Sequence, residues 1–228
     1  MFYNATSATP VTSGWDTSNL INVNQMFYGA TSATPTTTTD NNIWNMSKVT
    51  NMGSMFYGAT DANPDTSGWD TSNVTTMGNM FNQAINANPN TSTWDTSKVE
   101  SMAQMFYQAT NANPNTSNWN TSNVTNMVSM FYQATNANPN TSGWDTSSVT
   151  SMGDMFYQAT SADPDTSSWD IGNVISMSGI LYDTDISDEN YSKFLFMAKN
   201  TCSNGNNCDS TENITIHLGS TPAQYAKY

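Results

Sequence analysis

Hydrophobic residues recur along this chain with a period of 25 residues, in two independent columns. One column holds the tryptophans, which are Trp15, Trp44, Trp69, Trp94, Trp119, Trp144 and Trp169. The other holds Met-Phe pairs, which begin at Met1, Met26, Met55, Met80, Met105, Met130 and Met155. Each column contains one interval of 29 residues, and both long intervals contain the segment Thr36–Ile43. Two columns that share a period and an interruption predict a tandem array of repeats.

Within one repeat, Ala112–Thr135, the pattern of apolar and polar positions predicts two short elements. Asn115–Trp119 is rich in Thr and Ser and follows a proline, which is typical of a brief strand. The apolar positions of the second half are spaced as one face of a two- to three-turn helix. They are Val124, Met127, Met130, Phe131 and Ala134.

These elements predict an α/β solenoid, in which each coil contributes one parallel strand and one short helix, joined by right-handed crossovers. We expect residues 1–185 to form seven coils, with the segment 36–43 inserted as a loop. Residues 186–228 are expected to form an α+β cap. Its helix should begin near Ser187 and continue for about a dozen residues through Ala198, and Glu212–Leu218 alternates as a strand does.

Stacking of the repeats should place equivalent large side chains above one another as the main stabilising core. The residues expected in this core ladder are Trp69, Trp94, Trp119, Trp144, Met80, Met105, Met130, Phe81, Phe106 and Phe131.

The repeat motif Trp-Asp-Thr-Ser-Asn-Val-Thr-x-Met-x-x-Met-Phe, as in Trp69–Phe81, resembles the BspA-like surface-protein repeats of bacteria. The resemblance covers residues 1 to about 182, and the segment Ile186–Asn200 resembles the cap of that family. It implies a leucine-rich-repeat-like fold and roles in adhesion or surface display, and it brings no catalytic residues. This chain has Ala-Asn-Pro-Asn-Thr before Trp, where the family commonly has Phe-Asn-x-x-Ile.

Composition restricts the possible partners. The chain has 228 residues, a net charge of -13, five Lys and no Arg. A nucleic acid or an anionic membrane surface is therefore not an expected partner, since both need a cationic surface. No stretch is long and apolar enough to insert in a bilayer. The segment Met1–Tyr3 has the same sequence as Met26–Tyr28, which suggests that the chain starts within a repeat. We therefore expect a fragment that lacks its own export signal.

The residue after each tryptophan is Asp or Asn, and it admits two interpretations. As a turn residue, its side chain would accept hydrogen bonds from nearby backbone N–H groups. As a hard oxygen ligand, it could bind calcium, with Asp70, Asp95 and Asp145 as the candidates. The turn interpretation is favoured, because Asn45 and Asn120 interrupt the carboxylates. No cofactor is expected.

Two further columns are candidates for a binding face. Tyr107, Tyr132 and Tyr157 follow the buried Phe and could pack at the edge of the core or stack against sugars or a partner. The column Thr91, Thr116 and Thr141 could present regularly spaced hydroxyls to a partner or to ice.

The remaining chemistry points away from catalysis. One His and no Arg exclude the common triads, and similar polar residues recur in most coils, so we expect no enzyme. Cys202 and Cys208 are spaced for a short disulfide loop. We expect a secreted or cell-surface module that binds a host or bacterial protein or glycan through an extended repeat face. The alternatives are a passive spacer or filament element and an ice-binding solenoid.

Overall fold

The computed structural model describes residues 1–39 and 42–203, and it shows the repeats stacked on one another. The described residues contain one helix, α1 (Asp188–Ser203), and two strands, β1 (Thr38–Thr39) and β2 (Asn42–Ile43). β1 and β2 pair antiparallel within the insertion at 36–43. The stack continues past them, since Trp44 lies 5.7 Å from Trp15 and 6.3 Å from Trp69.

The predicted α/β solenoid, with a leucine-rich-repeat-like strand and helix in every coil, is therefore wrong. Each coil is instead a succession of tight turns, for example from Thr116 to Trp119 and from Thr121 to Val124. Parallel pairing is reduced to isolated single-residue bridges such as Asn126↔Ser151.

The predicted helix fails because a series of turns gives the same apolar spacing as a helix. Met130 N donates to Met127 O at 3.3 Å in a turn, so the three-residue advance of the apolar positions is kept. Ser129 and Gln133 have φ of 52° and 54°, whereas a right-handed helix needs about −63°. The backbone N–H of Phe131 donates to Met155 O of the next repeat at 2.8 Å, and is not used within a helix.

The predicted strand at Asn115–Trp119 fails for a related reason. Trp119 N donates to Thr116 O at 3.0 Å, which closes a turn. The Thr116 hydroxyl, rather than a backbone ladder, links this part of the coil to the next one through Asn140 O at 2.7 Å.

The core lies inside the stack, and the columns expected to form it are buried. Trp69, Trp94, Trp119 and Trp144 are 1–4% exposed, and Met80, Met105, Met130, Phe81, Phe106 and Phe131 are fully buried. Successive Trp rings lie 6.3–6.4 Å apart from Trp44 to Trp169, and successive Phe rings 5.4–5.6 Å apart from Phe2 to Phe156.

Helix α1 forms where the sequence predicts it and closes the last coil. Ser187 caps it, because its Oγ accepts from Asn190 N at 3.2 Å. The Asp163 carboxylate accepts from the N–H and the hydroxyl of Ser187 at 2.8 and 2.9 Å. Phe194 and Met197 are buried against the core. The predicted Cys202–Cys208 disulfide and the predicted strand Glu212–Leu218 lie outside the residues and side chains that the structure describes.

Candidate functional site

A column of glutamines runs along one side of four consecutive coils. Gln108, Gln133 and Gln158 each have φ of 54–55°, in the left-handed region. This conformation directs each backbone N–H to a tyrosine carbonyl of the next coil at 2.7 Å. A non-glycine residue in this conformation is strained by about 1 kcal/mol or more. The hydrogen bond to the next coil offsets this strain and holds each glutamine in the left-handed conformation.

The glutamine side chains hydrogen-bond to one another and form an amide ladder. Gln108 Nε2 donates to Gln133 Oε1 at 2.7 Å, and Gln133 Nε2 donates to Gln158 Oε1 at 2.7 Å. Gln158 Nε2 donates to Asp183 Oδ2 at 3.4 Å. An amide has two N–H donors and one oxygen with two lone pairs. After the ladder is formed, Gln133 retains one donor and one lone pair for a ligand.

The ladder lines a groove of about 490 Å³ that extends across several repeats. Its walls are Gln108, Gln133, Gln158, Thr110, Thr135 and Thr160. Ile85 lines the groove from the coil of Gln83, and Asp183 lines it from the coil that follows Gln158. Lysine is absent from this lining in the described part of the chain, so the groove offers a few amides and hydroxyls and a single carboxylate on a mostly apolar surface of Thr, Gln and Ile85 carbon atoms. Such a surface suits a neutral partner rich in hydrogen-bonding groups.

The threonine column that the sequence offered as a binding face, Thr91, Thr116 and Thr141, lies buried between the coils. These side chains are 0–1% exposed. Each hydroxyl donates to a backbone carbonyl of the next coil at 2.7 Å, at Asn115, Asn140 and Asp165. The column therefore joins repeats and cannot present its hydroxyls to a partner or to ice.

The tyrosine column is half-buried at the rim of the core, and its rings stack on one another. Tyr132 lies 4.6 Å from Tyr107 and 4.8 Å from Tyr157, with ring planes within 7°. Burial, and next the neighbouring tyrosines, raise the pKa of Tyr132. Because both faces of Tyr132 are covered by rings, a sugar can reach only its edge and hydroxyl.

The aspartates that follow tryptophan act in turns. The carboxylates of Asp70, Asp95 and Asp145 accept from the backbone N–H two residues ahead at 3.1, 2.9 and 3.0 Å. Hydrogen bonds from the side chain and then the backbone of the following serine lower the pKa of Asp95 and Asp145. Asn120 accepts the same bond at 3.0 Å, which agrees with the turn interpretation.

Among residues 1–39 and 42–203, no group of three or more His, Cys, Asp or Glu side chains is arranged to hold a metal ion. In that same part of the chain, no helix is long and apolar enough to cross a bilayer.

The glutamine column was missed by the sequence analysis. Gln83, Gln108, Gln133 and Gln158 keep one register through four consecutive repeats, which is the signal that could have identified it. That register shows that the side chains align, but not that they face an open groove.

Comparisons with known proteins gave one family. A family model described as "Mycoplasma protein of unknown function, DUF285" matches residues 1–40, 33–121 and 78–194. The matches overlap and together extend through 1–194, in keeping with tandem repeats. No curated protein and no solved structure matches the chain.

Proposed function

We propose that this chain, which belongs to the family described as Mycoplasma protein of unknown function, DUF285, is a binding module that takes a neutral partner along its glutamine-lined groove. The single observation that carries the proposal is the groove itself. Equivalent residues of successive coils line it, and their amides are held in one ladder.

The repeating lining supports binding by many similar contacts. Each coil adds one amide and one hydroxyl at the same register, so a partner that lies along the groove meets the same chemistry several times. Contacts that are weak singly then act together at high effective concentration. The partner class is a protein or a glycan with closely spaced hydrogen-bonding groups. No catalytic step and no bound cofactor are part of the proposal.

We place the module outside the cell or on its surface. The resemblance of its motif to the BspA-like repeats supports this placement, as does a composition in which Asn, Ser and Thr replace most charged residues. Adhesion is the role that such a placement favours.

The test removes the amides without disturbing the coils. Glycine occupies the same column at Gly29 and Gly58, with φ of 62° and 64°. The triple variant Gln108→Gly, Gln133→Gly, Gln158→Gly should therefore fold. The chain of residues 1–228 is applied to arrays of glycans and of purified surface proteins. We expect the wild type to be retained on a subset of spots, and the triple variant to lose at least about tenfold in affinity there.

The matched control is Thr125→Ala with Thr150→Ala, which changes two exposed threonines away from the groove and should leave retention unchanged. Equal retention of the wild type and the triple variant would contradict the groove proposal. Absence of retention on every spot would overturn it in favour of a passive spacer.

A further inference from the structure

The glutamine-lined groove runs along the stack between two rows of side chains. In each of three coils, a glutamine and the threonine two places further on line the groove, with an alanine between them. These alanines, Ala109, Ala134 and Ala159, are fully buried. The two rows therefore follow the stack, and a ligand that fills the groove has to cross from coil to coil.

The coils beside the groove are evenly spaced, as the tyrosine before each glutamine shows. Tyr132 lies 4.6 Å from Tyr107 and 4.8 Å from Tyr157. Tyr182 lies 4.6 Å from Tyr157. A polyproline II helix has three residues per turn and a rise of about 3.1 Å per residue, so one turn spans about 9.3 Å. One turn of such a helix thus equals two coil steps, and residues three apart meet equivalent glutamines.

An extended β-strand does not share this register. Its side chains on one face recur at about 6.8 Å, which lies between one and two coil steps. A strand laid along the groove would therefore fall out of step with the glutamines after the first contact. The spacing of the coils favours the polyproline II conformation.

The hydrogen bonds that the ladder leaves over match a chain of prolines. Nε2 of Gln108 and of Gln133 each uses one hydrogen on the next glutamine at 2.7 Å, and Nε2 of Gln158 donates to the next coil at 3.4 Å. Each amide has a second hydrogen to give. Proline carbonyls accept such bonds, and proline has no N–H that needs an acceptor in the groove. Pyrrolidine rings also suit the carbon surface of Thr, Gln and Ile85.

The two ends of the groove differ in charge. Ile85 lines one end, and the exposed carboxylate of Asp183 lines the other. Gln158 Nε2 donates to Asp183 Oδ2, and carboxylate oxygens have lone pairs left for a second partner. A cationic group of a ligand would therefore pair with Asp183 but find no counterpart at Ile85.

We infer that the partner of the groove is a proline-rich segment of a protein, in the polyproline II conformation, with one basic residue at the Asp183 end. Four coil steps separate the coil of Ile85 from that of Asp183, so about six residues of the segment fit. The segment is neutral along the ladder and charged only beside the carboxylate. A glycan fits less well, because its many hydroxyls would lose water against a mostly apolar lining. The inference rests on the proposed function, since it uses the same groove.

The test titrates the 15N-labelled chain with two acetylated and amidated hexapeptides, which carry five prolines and either a last or a first lysine. The side-chain amide signals of Gln108, Gln133 and Gln158 report binding in the groove. We expect saturable shifts of these signals with at least one of the two peptides. The same peptide with five glycines should bind at least about tenfold more weakly, because a flexible chain loses more entropy when it is ordered.

The neutral glycan N-acetylchitohexaose is the competing probe. Tighter binding of this glycan than of both proline peptides would overturn the assignment to a proline-rich segment. Equal binding of the proline and glycine peptides, or no saturable shift with either proline peptide, would also overturn it.

Asp183→Asn removes the charge alone. Asp183 has φ of 58°, a conformation that asparagine also adopts, and Gln158 can donate to the new amide oxygen. The lysine peptide should bind this variant about threefold more weakly, whereas the same peptide with glutamine in place of lysine should bind unchanged. The matched control is Asp185→Asn, an exposed carboxylate outside the lining, which should leave both peptides unaffected. Equal effects of the two substitutions would contradict the placement of the basic residue.

The two proposals can fail separately. Array retention that needs the three glutamines, without any response to the proline peptides, would overturn the proline-rich partner and leave the groove proposal standing. Calorimetry on the triple glycine variant should show loss of the proline peptide. Equal affinity of this variant and the wild type for the peptide would place the peptide elsewhere and overturn the inference.

Discussion

Threonine hydroxyls have a structural role at two positions in each regular coil. Thr116 and Thr121 are both 1% exposed, and they donate to Asn140 O and Asp145 O of the next coil at 2.7 and 2.8 Å. A Thr hydroxyl therefore provides a coil-to-coil bond where the backbone is occupied with its own turns. The polar Thr-Ser repeats, which look like surface in the sequence, include part of the interior.

The first prediction concerns Thr116→Val, which keeps the shape of the side chain but removes its hydroxyl. The carbonyl of Asn140 then loses its donor in a partly buried place, so the free energy of unfolding should fall by about 1 kcal/mol. Urea denaturation measures the change.

Two control variants separate the hydroxyl from other effects. Thr116→Ser keeps the hydroxyl and should cost less than Thr116→Val. Thr125→Val alters an exposed threonine and should stay within about 0.5 kcal/mol of the wild type. An equal loss for Thr116→Val and Thr125→Val would contradict the buried role of Thr116.

For single residues, the sequence predicts which side chains form columns, but it does not predict for every column whether it is buried or exposed. The burial of Trp119 and Met130 follows from their hydrophobicity and periodicity. The burial of Thr116 does not, because a threonine column is equally compatible with a surface ladder. Only the turn from Thr116 to Trp119 determines that the hydroxyl faces the next coil.

At the scale of elements, α1 is joined to the repeats by a small polar cluster. Lys193 Nζ lies 2.9 Å from Asp165 Oδ2 and 2.9 Å from Glu189 Oε1. Hydrogen bonds from the side chain and backbone of Ser167, and then the Lys193 ammonium, lower the pKa of Asp165 to about 2. The Asp165 carboxylate therefore stabilises the fold in its ionised form.

The pH dependence of stability follows from the lowered pKa of Asp165. A carboxyl whose pKa is lower in the folded state stabilises the protein above its unfolded value of 3.8, and this contribution is lost as the pH falls toward about 2. Asp165→Asn should therefore lower the melting temperature at pH 7 and lose its difference from the wild type near pH 2. Because Asp165 is partly exposed, we expect no more than about 1 kcal/mol at pH 7.

The neighbouring coils supply the reason why this variant should fold. Asn115 and Asn140 hold the same turn position and accept the same bond from the next serine, at 3.1 Å in both cases. Thermal melts from pH 7 to pH 2 provide the measurement. A difference between Asp165→Asn and the wild type that stays constant across this range would contradict the lowered pKa.

The helix α1 was predictable and the coils were not, for a physical reason. Asp188–Ser203 satisfies its own backbone groups, so a local pattern with a Ser187 cap is enough to identify it. In the regular coils, about half of the backbone hydrogen bonds join residues 24 to 26 positions apart. Left-handed residues such as Gln133 end any helix, and Gln carries no strong sequence signal for that conformation.

At the scale of the whole molecule, one rule accounts for the structure. Each coil satisfies part of its backbone in turns and the remainder against its neighbours, while Trp, Phe and Met columns fill the interior. Because equivalent residues lie above one another, any side chain that recurs in successive repeats becomes a column. The glutamine ladder beside the groove is one such column.

The most direct test of this rule is a through-hydrogen-bond scalar coupling at Gln83. Its backbone N–H donates to Tyr107 O, 24 residues away, at 2.7 Å. Protein labelled with 15N-glutamine and 13C-carbonyl tyrosine isolates this bond, because the residue before Gln83 is Asn82 and not tyrosine. Stacked turns predict a coupling from the Gln83 amide to a tyrosine carbonyl. A helical repeat would bond Gln83 to Asn79, and absence of any tyrosine coupling at Gln83 would contradict the account.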